Sequence, residues 1–64
     1  MIFNYLGHET DWAFNRGEKL AKTGQEKTSS LDKLFIATLT IIDETNHILA
    51  TAMMHSFYRG YDSV

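Results

Sequence analysis

The stretch Leu34-Phe35-Ile36-Ala37-Thr38-Leu39-Thr40-Ile41-Ile42 decides the fold, because it fits two structural periods at once. Its density of β-branched and aromatic residues favours a β-strand, and the next four residues, 43–46, fit a turn into a second strand. Read with a period of 3.6, the same stretch predicts a helix with an apolar stripe. The two interpretations lead to different folds.

The hairpin interpretation makes a register prediction. If Ile42 faces His47, every cross-strand pair on one face of the sheet is apolar, and the opposite face is mixed, with Thr38 opposite Thr51. A slip of one residue would disrupt both faces. We therefore predict the hairpin, although the chain has no glycine or proline between Lys27 and Arg59, which is the main argument against it.

The helical interpretation remains the alternative. In this interpretation, one side of a helical hairpin is formed by Leu31, Leu34, Phe35, Thr38, Leu39, Ile42, Leu49, Ala52, Met53 and Ser56. In that interpretation Ser29 and Asp32 resemble a capping box, and Gly60 ends the second helix.

Upstream, residues 11–22 predict a helix with a thin apolar stripe. Thr10 fits the N-cap, Lys22 lies in the last turn, and Gly24 follows the C-terminus. Gly17 in mid-helix costs about 1 kcal/mol relative to alanine unless it permits close packing.

We thus predict one α+β domain over residues 1–64, a helix packed on an antiparallel β-hairpin, with an all-α helical hairpin as the alternative. The apolar segment Met1–Leu6 is a candidate third strand. Residues 24–30 are expected to be a linker, and residues 60–64 a flexible tail.

Composition limits the functions open to this chain. With 64 residues and no cysteine, it has no disulfide, thiolate metal site or cysteine nucleophile, and a domain of this size buries only about 60% of its unfolded surface. The longest apolar run is about half of the ~20 residues that cross a bilayer, so we expect a cytoplasmic protein without a membrane partner.

Candidate catalytic and metal-binding residues form no convincing pattern. His8, Glu9 and Asp11 precede or begin the predicted helix, where helix-start charge explains the two acids equally well. His47 and His55 are eight residues apart, which is about 26 Å along an extended strand and too far for one ion. We expect no enzymatic activity, no metal and no cofactor.

The hairpin implies an interaction surface, because one short helix covers only one face of the sheet. A small protein seldom leaves a contiguous apolar patch in water, so we expect a homodimer or docking onto a larger protein. The function predicted is that of a small regulatory, adaptor or inhibitor protein. The predicted interface consists of Trp12, Leu34, Ile36, Leu49, Met53, Phe57 and Tyr58.

Nucleic-acid binding by a small dimer is the alternative function. Arg16, Lys19 and Lys22 recur every third residue and would form a basic stripe able to contact phosphates. The formal net charge of −2 makes a nucleic-acid partner the less favoured hypothesis.

Overall fold

The computed structural model describes the backbone of residues 6–64 and the side chains from His8 onward. It contains three α-helices: α1, Leu6–Lys22; α2, Lys33–Thr45; and α3, His47–Asp62. A 3₁₀ turn, Ser29–Leu31, precedes α2. Residues 6–64 form no strand, so the α+β prediction is wrong and the all-α alternative is confirmed.

Threonine hydroxyls in α2 and α3 form hydrogen bonds within their own helices. The hydroxyl of Thr40 donates to the carbonyl oxygen of Ile36 at 2.9 Å, and the hydroxyl of Thr51 donates to that of His47 at 3.0 Å. These bonds to the preceding turn satisfy the polar groups that a strand would have presented to its neighbours. Intrinsic β-propensity is overridden by tertiary packing, because Phe35 of the central stretch, residues 34–42, is fully buried and stacks on Phe57 of α3.

Asn46 replaces the predicted hairpin turn with a break of one residue between α2 and α3. Its backbone N–H donates to the carbonyl oxygen of Ile42 at 2.7 Å, which ends α2. Its side-chain oxygen accepts a hydrogen bond from the N–H of Leu49 at 3.0 Å, which caps α3. The φ of Asn46 is −151°, so this residue does not adopt the left-handed conformation that asparagine can adopt in a hairpin turn.

Two glycines bring α1 and α3 into backbone contact. A Cβ atom on Gly17 would overlap the carbonyl oxygen of Phe57, and one on Gly60 would overlap that of Phe14. Residue numbers therefore rise along α1 as they fall along α3, and the two helices are antiparallel. The close packing that would justify a glycine in mid-helix is present.

The core lies where α3 packs between α1 and α2. Phe35, Met53 and Phe57 are fully buried, and the rings of Phe35 and Phe57 stack with their centroids 4.4 Å apart. Ala13 and Leu20 complete the buried cluster from α1. Because Phe35 lies near the start of α2 and Phe57 near the end of α3, these helices fold back on each other.

The ends of the helices differ in part from the sequence prediction. α1 ends at Lys22 as predicted, and Gly24 has a φ of 77° just beyond it. However, α1 begins at Leu6, so Thr10 lies inside the helix and is not its N-cap. The remaining residues of the predicted third strand, 1–5, lie outside the described residues.

The segments predicted as a linker, residues 24–30, and as a tail, residues 60–64, contact each other through a hydrogen bond and an ion pair. The hydroxyl of Tyr61 donates to the carbonyl oxygen of Gln25 at 2.5 Å, and Lys27 pairs with Asp62 at 2.8 Å. Residues 24–30 also include the start of the 3₁₀ turn, and α3 continues through Asp62. Among residues 6–64, no helix is long and apolar enough to cross a bilayer.

Candidate interaction surface

The three-helix fold buries much of the interface that the hairpin predicted. Met53 and Phe57 are fully buried, and Leu34 remains 56% exposed. Four others are half-buried: Trp12, Ile36, Leu49 and Tyr58. The hairpin prediction placed Ile36, Leu49, Met53 and Phe57 with Leu34 on the uncovered face of a sheet, and Trp12 and Tyr58 beside it as aromatic anchors. In the structure, the helices turn all of these residues except Leu34 toward one core. We therefore carry only Leu34 into the candidate surface.

The two half-buried aromatic residues hold neighbouring segments in place. The ring of Trp12 lies 5.9 Å from that of Phe35, which connects α1 to α2. The hydroxyl of Tyr58 accepts a hydrogen bond from the N–H of Ser29 at 3.0 Å and contacts the hydroxyl of Ser29 at 3.2 Å. Hydrogen bonding to Ser29 lowers the pKa of Tyr58. Both contacts are structural.

Arg16, the first residue of the predicted basic stripe, is engaged within the protein. Its Nε and Nη2 atoms donate to the two carboxylate oxygens of Asp32 at 2.8 and 2.6 Å. Asp32 is buried and caps α2 by accepting from the N–H of Phe35 at 3.1 Å. The hydrogen bonds between Arg16 and Asp32 lower the pKa of the Asp32 carboxyl group and raise the pKa of the Arg16 guanidinium group. Of the stripe, Lys19 and Lys22 remain exposed.

One side of α2 is exposed and carries apolar residues, of which the sequence prediction had assigned only Leu34 to an interface. Successive helical residues turn by about 100°, so positions 33, 34, 37, 40, 41 and 44 share one side of α2. All six are exposed, with Leu34 at 56% and Ile41 at 68%. We call this set the α2 outer face: Lys33, Leu34, Ala37, Thr40, Ile41 and Glu44.

Further exposed apolar residues flank the α2 outer face along the chain. Leu31, just before α2, is 47% exposed, and Ile48, just after it, is 83% exposed. The hairpin interpretation placed Ala37, Ile41 and Ile48 on the sheet face covered by the helix, and for that reason missed them. The sequence did contain a signal that Ile41 is exposed, because Ile41 is not among the residues that share the apolar side of the helix in the all-α alternative.

Charges on the α2 outer face oppose the helix dipole. Lys33 occupies the first turn, where the partial charge is positive, and Glu44 occupies the last turn, where it is negative. No ion pair involves either residue in the part of the chain that the structure describes. Asp43, beside Glu44, is bound by Nδ1 of His47 at 2.5 Å. The two ends of the face therefore carry charges of opposite sign, and neither charge is in an ion pair among the described residues.

Two shallow grooves adjoin α2. One, of about 340 Å³, lies between α2 and α3 and includes Leu39, Ala50, Met54 and the Asp43–His47 pair. The other, of about 400 Å³, lies between α1 and the start of α2. Its lining includes three cations and three leucines around the paired Asp32: Arg16, Lys19, Lys33, Leu20, Leu31 and Leu34. We call the second one the basic groove.

The described residues form no group of three or more histidine, aspartate or glutamate side chains placed to bind a metal ion. Comparisons of the chain with protein-family models, with curated proteins and with solved structures find no match. The functional proposal therefore depends on the α2 outer face and the grooves beside it.

Proposed function

We propose that this protein is a small, non-enzymatic regulatory, adaptor or inhibitor protein of the cytoplasm that acts through protein–protein contacts as a homodimer. The observation that carries the proposal is the row of Leu34, Ala37 and Ile41, exposed along one side of α2. Apolar side chains in such a contiguous row are typical of a surface that is covered in the functional assembly.

The anchoring of α2 supports this proposal. Phe35 is its one buried apolar residue, whereas α3 contributes Ala50, Met53 and Phe57 to the core. A domain of this size has a thin margin of stability, and association of the folded form adds to that margin. A second copy packed on the α2 outer face would bury Leu34 and Ile41 and hold α2 in place.

The size of the face sets the expected strength of the dimer. A row of three apolar residues with charged ends is smaller than a standard interface of about 1,600 Å². We therefore expect a weak, reversible dimer with a dissociation constant on the order of micromolar. Such an affinity suits a protein whose activity is controlled by its own concentration or by a competing partner.

Sedimentation velocity across a micromolar concentration series tests the proposal. The wild-type protein should shift from monomer to dimer as its concentration rises, and Ile41→Asp should remain monomeric because it places a charge in the apolar row. Val64→Asp is the matched control, since Val64 is 62% exposed but lies outside α2. It should dimerise like the wild type.

Other results would contradict the homodimer. A wild-type monomer at every concentration, or an Ile41→Asp variant that dimerises normally, would overturn it. If the monomer instead retains a different protein that Ile41→Asp releases, the α2 outer face serves a larger partner and the homodimer is wrong. Salt-sensitive binding to nucleic acid that requires Lys19 and Lys22 would favour the alternative function.

A further inference from the structure

Building on the homodimer proposed above, we infer that two copies pair through α2 in antiparallel register, with Lys33 of each copy opposite Glu44 of the other. Three features of the described residues lead to this arrangement: the polarity of charge along α2, the spacing of its apolar residues, and the basic groove beside its N-terminus.

The polarity of charge favours an antiparallel partner. Lys33 and Glu44 lie at opposite ends of α2, each at the end where the helix dipole is unfavourable for its charge. In a parallel pair, Lys33 would lie opposite Lys33 and Glu44 opposite Glu44. In an antiparallel pair, both ends bring opposite charges together, and the two helix dipoles are also antiparallel.

The spacing of the apolar residues fits a register within two residues of the one that the charges favour. The midpoint between Leu34 and Ile41 in the sequence lies between Ala37 and Thr38. The midpoint between Lys33 and Glu44 lies one residue further along α2. A two-fold axis near this point therefore places Leu34 of each copy against Ile41 of the other. The small side chain of Ala37 near the axis allows the two helices to approach closely.

The basic groove extends this complementarity beyond α2. The groove begins at Lys33 and Leu34 and includes Leu31 and Lys19. The positive charge of Lys19 also helps to lower the pKa of Asp32. The antiparallel register brings the other copy's α2 C-terminus, with its carboxylates and the exposed Ile48, toward this groove. The basic groove and the acidic end of α2 are therefore complementary surfaces of one chain, as a two-fold interface requires.

Charge reversal tests the register, with the dimer dissociation constant measured by sedimentation equilibrium. Lys33→Glu and Glu44→Lys should each weaken the dimer about tenfold, because both symmetry-related pairs become like-charge pairs. The double variant, with both substitutions in one chain, should dimerise like the wild type. A mixture of the two single variants should form a heterodimer of wild-type strength.

Loss of folding would not produce this pattern. Lys33→Glu places an acid in the first turn of α2 and Glu44→Lys places a base in its last turn, so each substitution improves the interaction with the helix dipole. Circular dichroism should show that both single variants keep their helical content. The double variant serves as the matched control, because it contains both substitutions and is expected to restore dimerisation.

The outcomes separate this inference from the proposed function. If the wild type dimerises and Ile41→Asp abolishes the dimer, but the single charge reversals change nothing, the homodimer holds and the antiparallel register is overturned. If the single variants weaken the dimer and the double variant does not recover, the register is also overturned. If the wild type is a monomer throughout, the proposed function fails together with this inference.

Discussion

Gly17 of α1 and Gly60 of α3 occupy matching positions in one helix crossing, where each lies against the backbone of the opposite helix. Any Cβ atom at either position would come closer than 3.0 Å to a carbonyl oxygen of the other helix, from Phe57 or Phe14. The crossing fixes α1 on α3 by contact between backbones. Both positions therefore accept only glycine at this separation.

Alanine at either glycine should destabilise the protein, although alanine is the better helix former. In an open helix, glycine to alanine stabilises by about 1 kcal/mol. Here Gly17→Ala and Gly60→Ala should each cost at least about 2 kcal/mol, because the helices must move apart. Urea unfolding measures the effect, and Gly24→Asn is the control, since Gly24 has open space around it and a φ that asparagine tolerates. Equal stability of Gly17→Ala and the wild type would refute the close crossing.

The Arg16–Asp32 pair should make the free energy of unfolding depend on pH. Because hydrogen bonding lowers the pKa of Asp32 in the folded state, its contribution is present above about pH 4 and is lost as the pH falls through the folded-state value. Asp32→Asn keeps a capping side chain but not the charge, and should cost about 1–3 kcal/mol at neutral pH. The difference between wild type and variant, from thermal melts, should shrink below pH 4. A difference that stays constant with pH would contradict this role.

Two tyrosine hydroxyls should differ in their effect on stability. Tyr58→Phe removes the partner of the N–H of Ser29, a buried residue, and should cost about 1–3 kcal/mol. Tyr61→Phe removes a bond to the exposed carbonyl of Gln25, which water can replace, and should cost less than about 1 kcal/mol. Urea midpoints compare the two matched variants directly. The reverse order would show that Ser29 is not held as described.

Phe35 should be the residue that keeps α2 on the bundle. It is the one apolar side chain of α2 that is buried, and its ring contacts both Trp12 and Phe57. Phe35→Leu should cost about 1–3 kcal/mol and increase amide hydrogen exchange in α2 before α3. Ile42→Val, a smaller change at a half-buried position of the same helix, should leave that order of exchange unchanged and cost no more than about 1 kcal/mol. Uniform exchange across α2 and α3 in Phe35→Leu would argue against this anchoring.

Local signals in the sequence predicted the end of α1 correctly but not the structure of residues 33–62. Lys22 and Gly24 mark a C-terminus through charge and backbone conformation, both of which are encoded locally. The choice between strand and helix for the central stretch depended instead on packing against α3. Asp32 and Asn46 are good N-cap residues, but they also fit turns, so their identity alone did not decide the outcome.

The exposed residues of the α2 outer face were harder to predict from the sequence than the two alternative folds. Ile41 is strongly apolar yet 68% exposed, and Met53 is similarly apolar yet fully buried. Hydrophobicity does not separate these residues. Their positions do, because Met53 lies on the side of α3 that faces the core and Ile41 lies on the exposed side of α2. Leu34 belongs to both the predicted interface and the α2 outer face because it lies at the edge of the buried stripe.

The most direct measurement is an isotope-filtered nuclear Overhauser experiment on a mixture of labelled and unlabelled wild-type chains at a concentration above the dimer dissociation constant. It detects only contacts between copies. We expect intermolecular contacts between the methyl groups of Leu34 and Ile41, together with contacts from Ala37 to residues of the partner's α2. A spectrum without intermolecular contacts, or with contacts confined to surfaces away from α2, would contradict the proposed homodimer.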